Sequence, residues 1–500
     1  MKTSAKKLLA LLMVCALFVL PVISCGSGDS GGSGDGGNDT SGGSSGDTGT
    51  DSEKLSPNLP DKKFDGYTFT FLSDELGPGD FNWTSPLPRE IVPEEGAVNE
   101  ISEAVTKRNA YIEETYDIKI ELKGSPDPAN DLTKAAQSNE DIYDATLIWN
   151  GSLPGIIQRG EFLRTDYLTY VDLSKPWWDP AVNAMSIAGK NFLMGGDILL
   201  LDNEVTNVIL FNKNLLETNN IPLPYSLVKS GGWTLDKLNE YVSMGYKNLE
   251  GTGEVNWETD QFGLLVYMDS LHAFLVSGGG AVALKDKDDI PYMTLTTDRS
   301  LKVLDKVFDV MYNPATLNIQ IDVTPMTSCE KAHVGTFEEG RALFSWVRMN
   351  IVERLRNMDD EFGIVPLPKY EENQEKYISL VNPWSGVLLG VPKIAGNPER
   401  TSIILEAMAA ESRYTLRPAY YDVTLKRKNT RDNDSEAMLD IIFNSRAYDI
   451  GATYEFGGMV GDFVRMTSTK DRNIISRYEA KADVIQADIN KVVDIFKKLD

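Results

Sequence analysis

The chain from residue 66 onward alternates between two hydrophobic periods. Apolar residues recur at every second position in "GYTFTFL", which predicts a strand with Tyr67, Phe69 and Phe71 on one face. Apolar residues then recur at helical spacing and afterwards alternate again in a second strand. The helical positions are Ile101, Val105, Ile112 and Tyr116, and those of the second strand are Ile118, Ile120 and Leu122. The predicted order is strand, helix, strand.

A third strand, from Ala145 to Trp149, follows a short helix and an acidic turn. Strands that alternate with helices pair in parallel through right-handed crossovers, so this region is predicted to form a helix-covered α/β sheet. Small ligands bind at the carboxyl ends of such strands, where Trp149 and Asn150 lie. From about Gly189 onward the pattern restarts with hydrophobic strands, followed by a helix with Thr234 as its predicted N-cap. The pattern therefore predicts a second α/β unit.

The amino terminus has a different pattern. Three lysines among the first seven residues precede an apolar run from 8 to 20, which is too short to span a bilayer comfortably and is typical of an export signal. We expect this signal to cover residues 1–24 and to end before Cys25. Residues 25–61 are rich in glycine, serine and aspartate and contain too little apolar surface to offset the entropy of ordering. They are predicted to form a flexible tether.

Composition narrows the classes of function. The chain has 500 residues, of which 42% are hydrophobic, so it is globular and too long for one ordinary core. A net charge of −25 argues against a nucleic-acid partner, because phosphate binding needs clustered Lys and Arg. The two histidines, His272 and His333, lack the sequence context of a zinc site or a catalytic triad. We therefore expect two lobes, no bound metal and no cofactor.

The predicted signal ends in "VISC", which resembles the lipobox of bacterial lipoproteins, where a small residue precedes an invariant cysteine. The resemblance implies that Cys25 is acylated after the signal is removed. Lipid chains insert at about 0.8 kcal/mol per buried methylene, so Cys25 would anchor the protein to the extracellular face of the cell membrane. Since Cys15 is lost with the signal, Cys329 is the remaining thiol and no intramolecular disulfide is expected.

Six further segments resemble the extracellular solute-binding proteins of ABC importers, in the branch related to maltose-binding protein. They are "DIYDATLIWNGSLPGIIQRGEFLRTD", "VILFNKNLLETNNIPLP", "GGWTLDKL", "FEEGRALFSW", "FGIVPLPKY" and "SGVLLGVPKIAGNPERTSIILEAMAAES". The first resembles the family's strand, loop and helix with a glycine-containing connector. The last resembles the crossover strand and helix that return to the first lobe. The segments occur in the order in which the family has them.

This resemblance implies a periplasmic-binding-protein-like α/β fold of type II, in which two lobes joined by a hinge close over a ligand. Lobe one would comprise residues 62–172 and 385–430, and lobe two residues 175–383 and 435–500. The resemblance also implies a monomer that delivers its ligand to an ABC permease in the membrane.

Sugars present C–H faces and rims of hydroxyl groups, so sugar-binding proteins combine aromatic platforms with polar side chains. The aromatic candidates are Trp83, Trp149, Trp346 and Trp384, at predicted strand ends or in loops. The polar candidates are Asn150, Asn203, Glu204, Asp269, His272 and Arg348. Trp149 is similar in position to a ligand-stacking tryptophan of the family. The charged pair that follows it in the family is replaced here by Gly151 and Ser152.

The predicted function is that of a lipid-anchored receptor that captures a mono- or oligosaccharide for an ABC importer and performs no catalysis. Three alternatives stay open. A binder of a peptide, an amino acid or an organic acid would hold a carboxylate with Arg348. An extracellular carbohydrate-active enzyme would need two convergent carboxylates, whereas the neighbours Glu338 and Glu339 point away from each other. A sensor that docks to a signalling receptor would use the same pocket.

Overall fold

A computed structural model describes residues 54–75, 89–94, 96–251, 253–329, 331–425 and 433–499. The predicted signal, Cys25 and most of the predicted tether lie outside these ranges. The strands are β1 (Tyr67–Asp74), β2 (Ile118–Ser125), β3 (Ala145–Trp149), β4 (Leu193–Met194), β5 (Asn207–Asn212), β6 (Phe262–Val266), β7 (Ala283–Lys285), β8 (Pro291–Met293), β9 (Thr316–Asn318), β10 (Ala342–Arg348), β11 (Phe362–Val365), β12 (Ser379–Leu380), β13 (Val387–Gly390) and β14 (Arg446–Ala447).

The helices are α1 (Glu100–Tyr116), α2 (Pro128–Ser138), α3 (Leu153–Gln158), α4 (Leu201–Glu204), α5 (Lys213–Thr218), α6 (Tyr225–Ser230), α7 (Leu235–Ser243), α8 (Ser270–Ser277), α9 (Asp298–Met311), α10 (Ile319–Asp322), α11 (Thr336–Glu338), α12 (Ile351–Arg354), α13 (Pro398–Ser412), α14 (Leu416–Leu425), α15 (Asn433–Asn444), α16 (Ile450–Tyr454), α17 (Met459–Thr469), α18 (Ile474–Glu479) and α19 (Ala482–Lys498). In the part of the chain that the structure describes, no helix has the length and apolar character needed to cross a membrane.

The first sheet has the strand order β2-β1-β3-β13-β4. β1 pairs in parallel with β2 and β3, whereas β13 runs antiparallel to both β3 and β4. The predicted strand, helix and strand are confirmed as β1, α1 and β2, and the third predicted strand coincides with β3. The sheet also contains β4, which lies in the range 175–383 that we assigned to lobe two. The lobe boundaries therefore remain a prediction.

Apolar side chains on opposite faces of β1 enter different hydrophobic clusters. Phe69 and Phe71 are fully buried in a cluster with Ile112 of α1 and Ile404 of α13. Leu72, whose side chain points the other way, belongs to the cluster that contains α2 and the second sheet. The alternation seen in the sequence thus directs Phe69 and Phe71 into one cluster and Leu72 into the other, and α1 contributes to both, with Ile112 in the first and Val105 in the second.

The second sheet has the strand order β11-β5-β10-β6-β9. β10 lies between β5, to which it is antiparallel, and β6, to which it is parallel. The strands β5, β6 and β10 are buried along their whole length, as expected for strands covered on both faces. The predicted N-cap is confirmed, since the Thr234 hydroxyl accepts a hydrogen bond from the backbone N–H of Lys237 at the start of α7.

The chain passes from the first sheet to the second between β4 and β5 and returns between β11 and β13. The two crossings lie side by side, because Thr206 and Val381 form an antiparallel bridge and the N–H of Asn382 donates to the carbonyl of Val205 at 3.0 Å. We call residues 382–386 the return crossover. The paired crossings form a common joint between the two sheets.

Among the described residues, Lys54 and Leu55, inside the segment predicted as tether, contact the folded body. The Lys54 ammonium forms an ion pair with Glu411 of α13 and lies 5.4 Å from the ring centre of Tyr414. The backbone N–H of Leu55 donates to the Tyr414 hydroxyl at 2.9 Å. These contacts hold the chain against α13 before β1 begins.

A buried ion-pair cluster at Arg89 joins the two sheets through their loops. Arg89, which precedes α1, pairs with Glu204 of α4 and, at 3.0 Å, with Glu353 of α12, the helix after β10. The side chains of Arg89 and Glu204 are 13% and 3% exposed, whereas that of Glu353 is 31% exposed. Burial lowers the pKa of Arg89, but the two carboxylates outweigh this effect and hold it above its usual range. The guanidinium is therefore charged at every pH at which the fold exists.

Replacement of Arg89 by Ala should lower the free energy of unfolding by about 3–5 kcal/mol, because the buried Glu204 carboxylate loses this cation. The matched control is Glu353→Gln, which removes the more exposed partner and should cost less than about 1 kcal/mol. Urea denaturation of both variants measures the difference. Equal losses would contradict the assignment of Glu204 as the main partner.

Candidate ligand-binding site

A cavity of about 360 Å³ lies beside the carboxyl ends of strands of the second sheet, next to the return crossover. It is lined by Tyr267, Met268, Asp269, Gln320, Met326, Cys329, Trp346, Arg348, Trp384, Ser385 and Val464. The lining comes from the turn after β6, from β10, from the segment that contains α10, from the return crossover and from α17. Its volume is at the small end of the ~300–1,000 Å³ typical of ligand pockets.

Three aromatic side chains form part of the cavity wall. Trp346 of β10 is buried, and its ring centre lies 6.2 Å from that of Tyr267 at an interplanar angle of 66°. The indole Nε1 of Trp346 is buried without a hydrogen-bond partner in the structure. Trp384, on the return crossover, is half-buried. Such side chains offer flat apolar surfaces together with N–H and O–H groups.

His333 supports two of these aromatic residues from behind. Its Nε2 lies 3.0 Å from both the Trp346 carbonyl and the Ser345 hydroxyl, and its ring meets the ring of Tyr267 edge-on at 4.6 Å. Burial lowers the pKa of His333 to about 3, far below its ordinary 6.5. The imidazole is therefore neutral at physiological pH and acts as a packing and hydrogen-bonding element of the wall.

The polar edge of the cavity carries one carboxylate and one guanidinium. The Asn382 amide donates to Asp269 Oδ2 at 3.0 Å, and Arg348 Nη1 donates to the Ser385 hydroxyl. Burial raises the pKa of Asp269, while the Asn382 hydrogen bond and the Arg348 charge pull it back down. Burial lowers the pKa of Arg348, and the Asp269 charge opposes this. The two charges therefore offset each other at the edge of the cavity.

Four of the predicted site residues line this cavity together: Asp269, Trp346, Arg348 and Trp384. Two more adjoin it. The Trp149 indole Nε1 donates to the Trp384 carbonyl at 3.1 Å, and the backbone N–H of the buried Asn150 donates to the carbonyl of Gly386 at 2.9 Å. The carboxyl end of β3 is thus bonded to the return crossover.

The other predicted site residues lie elsewhere. His272 is fully buried behind Trp384, with its ring edge-on at 5.5 Å and its Nε2 3.0 Å from Asp449. Asn203 accepts a hydrogen bond from Arg446 and lines a different cavity of about 440 Å³. Glu204 belongs to the Arg89 cluster. Trp83 lies outside the described residues, and the ligand-binding role of all ten predicted residues remains a prediction.

Several lining residues were missed by the sequence analysis: Tyr267, Met268, Gln320, Met326, Cys329, Ser385 and Val464. Tyr267 and Met268 directly follow a buried strand and precede Asp269, so their position at a strand end is a usable signal. Val464 carries no such signal, because α17 reaches the cavity only through the tertiary fold. No group of three or more His, Cys, Asp and Glu side chains suited to a metal ion occurs among the residues the structure describes.

The structure explains why glycine follows Trp149. A Cβ atom on Gly151 would lie 2.3 Å from the Trp149 indole ring, so the ring occupies the space in which any other side chain would begin. A larger side chain at position 151 would therefore conflict with the position of the indole over the backbone.

No protein-family model matches this sequence, and no curated protein sequence matches it either. Solved structures do match the fold. UspC of M. tuberculosis has 13% identity and a TM-score of 0.55, with 84% of this chain and 100% of that chain covered. A cyclo/maltodextrin-binding protein complexed with maltotetraose has 12% identity and a TM-score of 0.53, covering 87% and 98%.

The ABC substrate-binding protein Lmo0181 from Listeria monocytogenes, in complex with cycloalternan, has 10% identity and a TM-score of 0.51, with 87% of this chain and 100% of that chain covered. Together with the two mixed sheets, these similarities establish the architecture. The chain has the α/β fold of type II solute-binding proteins, which confirms the predicted fold class.

Replacement of Gly151 by Ala should displace the Trp149 ring and weaken its hydrogen bond to Trp384, with a loss of about 1–3 kcal/mol of stability from overpacking. The control is Gly155→Ala in α3, where the nearest atom is the flexible end of Arg159 at 3.2 Å. That change should be neutral or stabilising by up to about 1 kcal/mol. Tryptophan emission and thermal unfolding report both effects. An unshifted emission spectrum in the Gly151 variant would contradict the prediction.

The buried neutral His333 should make the fold less stable in acid. Below pH 6.5 the imidazole is protonated in the unfolded chain, whereas in the folded protein it stays neutral down to about pH 3. The free energy of unfolding is therefore unaffected by this residue above pH 6.5 and decreases as the pH falls below that value. The slope of unfolding free energy against pH should decrease in His333→Gln by up to about 1.4 kcal/mol per pH unit between pH 4 and 6. Urea titrations measure the slopes. Titration of the wild-type imidazole near pH 6.5 by NMR would contradict it.

Proposed function

We propose that the protein is an extracellular solute-binding receptor that captures a carbohydrate for an ABC importer. The observation that carries the proposal is the cavity in which Trp346, Trp384 and Tyr267 stand beside Asp269 and Arg348. Aromatic faces match the C–H faces of sugar rings, and a few convergent polar groups match their hydroxyl rims.

The ligands bound in two of the similar structures support this proposal. The cyclo/maltodextrin-binding protein is complexed with maltotetraose and Lmo0181 with cycloalternan, both of them carbohydrates. The fold is shared at low sequence identity, so the ligand class rests on the residues of this cavity. The orphan Nε1 of Trp346 is a donor that a sugar hydroxyl would satisfy.

The position of Trp384 connects ligand binding to movement of the joint. Because Trp384 and Ser385 lie on the return crossover, a ligand that contacts them together with Trp346 touches the joint and the second sheet at once. Such a ligand stabilises the closed arrangement by the difference in its affinity for the two states. The closed receptor then presents its ligand to an ABC permease, and acylated Cys25 keeps the monomer at the membrane surface.

A thermal-shift screen of the full chain, purified in mild detergent, tests the ligand class with mono- and oligosaccharides, amino acids, organic acids and short peptides. A carbohydrate at a hundred times its dissociation constant should add roughly 2.7 kcal/mol of stability. A shift with amino acids or organic acids and none with any carbohydrate would replace the sugar by a carboxylate ligand held by Arg348. Turnover of an oligosaccharide would indicate an enzyme.

Replacement of Trp384 by Ala should weaken binding of the best carbohydrate at least tenfold, because the ligand loses one aromatic face. The matched control is Trp257→Ala, since Trp257 is a half-buried tryptophan beside a different cavity, with Val255 and Lys470. Isothermal titration calorimetry compares the two variants. Equal affinity in the wild type and the Trp384 variant would contradict the placement of the site.

A further inference from the structure

The cavity has an apolar wall in addition to its aromatic side chains. Met268, Met326, Cys329 and Val464 all line it, and they come from three different parts of the chain. Thioether, thiol and alkyl groups are at best weak hydrogen-bonding groups. This part of the wall therefore offers nothing that replaces the water bound to a sugar hydroxyl.

The weak donor in this wall is already used within the protein. Cys329 Sγ is buried and lies 3.6 Å from the carbonyl of Ile319, to which its S–H donates. Val464 is half-buried on α17, and Met326, with 57% exposure, stands at the rim. A ligand group placed against these side chains contacts carbon and sulfur atoms, with no side-chain nitrogen or oxygen among them.

The polar edge lies on other residues, and its groups are partly engaged. Asp269 accepts from Asn382, Arg348 donates to Ser385, and Gln320 Oε1 accepts from the backbone N–H of Met268 at 2.9 Å. The cavity therefore offers hydroxyl groups the polar groups of this edge and the Trp346 indole N–H, whereas the side chains of the apolar wall offer none. A hydroxyl held against the apolar wall would be buried without a partner, which is unfavourable, whereas a methyl group there gains from leaving water.

We propose that the preferred ligand carries a methyl group where an ordinary hexose carries a hydroxymethyl group, and is thus a saccharide of the 6-deoxyhexose class. This inference rests on the proposed carbohydrate function and names the kind of carbohydrate. The cavity of about 360 Å³ suits one or two rings, with the ring face on Trp346 or Trp384 and the methyl group against the buried part of the apolar wall, at Val464 and Cys329.

Matched sugar pairs test the inference on the full chain in mild detergent. L-fucose is compared with L-galactose, L-rhamnose with L-mannose, and 6-deoxy-D-glucose with D-glucose, by isothermal titration calorimetry. Each pair differs by one oxygen atom. At least one 6-deoxy sugar should bind ten times more tightly than its parent or better. Equal or tighter binding of every parent sugar overturns the inference and leaves the carbohydrate function intact, whereas absence of binding by all carbohydrates refutes the function itself.

A pair of isosteric variants locates the preference. Val464→Thr replaces a methyl group of the wall by a hydroxyl and should reduce the deoxy-to-parent affinity ratio at least threefold. Val484→Thr makes the same change at a 61% exposed position of α19 and should leave the ratio unchanged. Met326→Gln, at the exposed rim, gives a second readout that does not depend on core packing. A ratio that is the same in the wild type and in both wall variants overturns the assignment of the wall.

Discussion

The site depends on the return crossover, a five-residue segment that is bonded to both sheets. Its backbone accepts hydrogen bonds from the Trp149 indole and from the N–H of Asn150, at the end of β3. Its side chains meet the second sheet, where Asn382 donates to Asp269 and Arg348 donates to Ser385. Any change in the angle between the sheets must therefore pass through a segment that also lines the cavity.

In the proposed receptor, this arrangement would link ligand binding to conformation without a separate switch. Trp384 is at once a wall of the cavity, an acceptor for Trp149 and a packing partner of buried His272. A ligand ring stacked on Trp384 would therefore contact the same residue that joins β3 to the return crossover. The glycine at position 151 belongs to this arrangement, because it leaves room for the indole that reaches the crossover.

Buried carboxylates organise the loops around the joint. Asp449 accepts from the N–H groups of Val282 and Gly451 at 2.7 and 2.9 Å and lies 3.0 Å from His272 Nε2. Glu406 of α13 accepts from the indoles of both Trp177 and Trp178, and burial raises its pKa to about 7. Each carboxylate accepts from donors that lie far from it in sequence, Trp177 and Trp178 for Glu406 and Val282 for Asp449, so both acidic residues join distant segments of the fold.

Local pattern predicted much of the fold. The alternation of Phe69 and Phe71, the helical spacing of α1 and the capping role of Thr234 arise from neighbouring residues, since backbone geometry fixes which side chains share a face. The sequence also placed Trp149 at the end of β3 and Trp346 near the end of β10, and the structure has Trp346 in the cavity wall and Trp149 bonded to Trp384 of that wall. The resemblance of scattered segments to solute-binding proteins then supplied the expected arrangement of two sheets.

The amino-acid sequence by itself determined the elements, their order and the residue types suited to a sugar. Only the tertiary structure decided which of these residues lie together. Asp269, Trp346, Trp384 and Val464 converge where the chain crosses between the sheets, and the local hydrophobic periodicity does not predict that crossing. The same convergence placed His272 behind Trp384 and Glu204 in the Arg89 cluster, and it brought Met326 to the rim. The residue type at each position fixes the chemistry of its side chain, whereas a binding site forms only when long-range packing brings several side chains together.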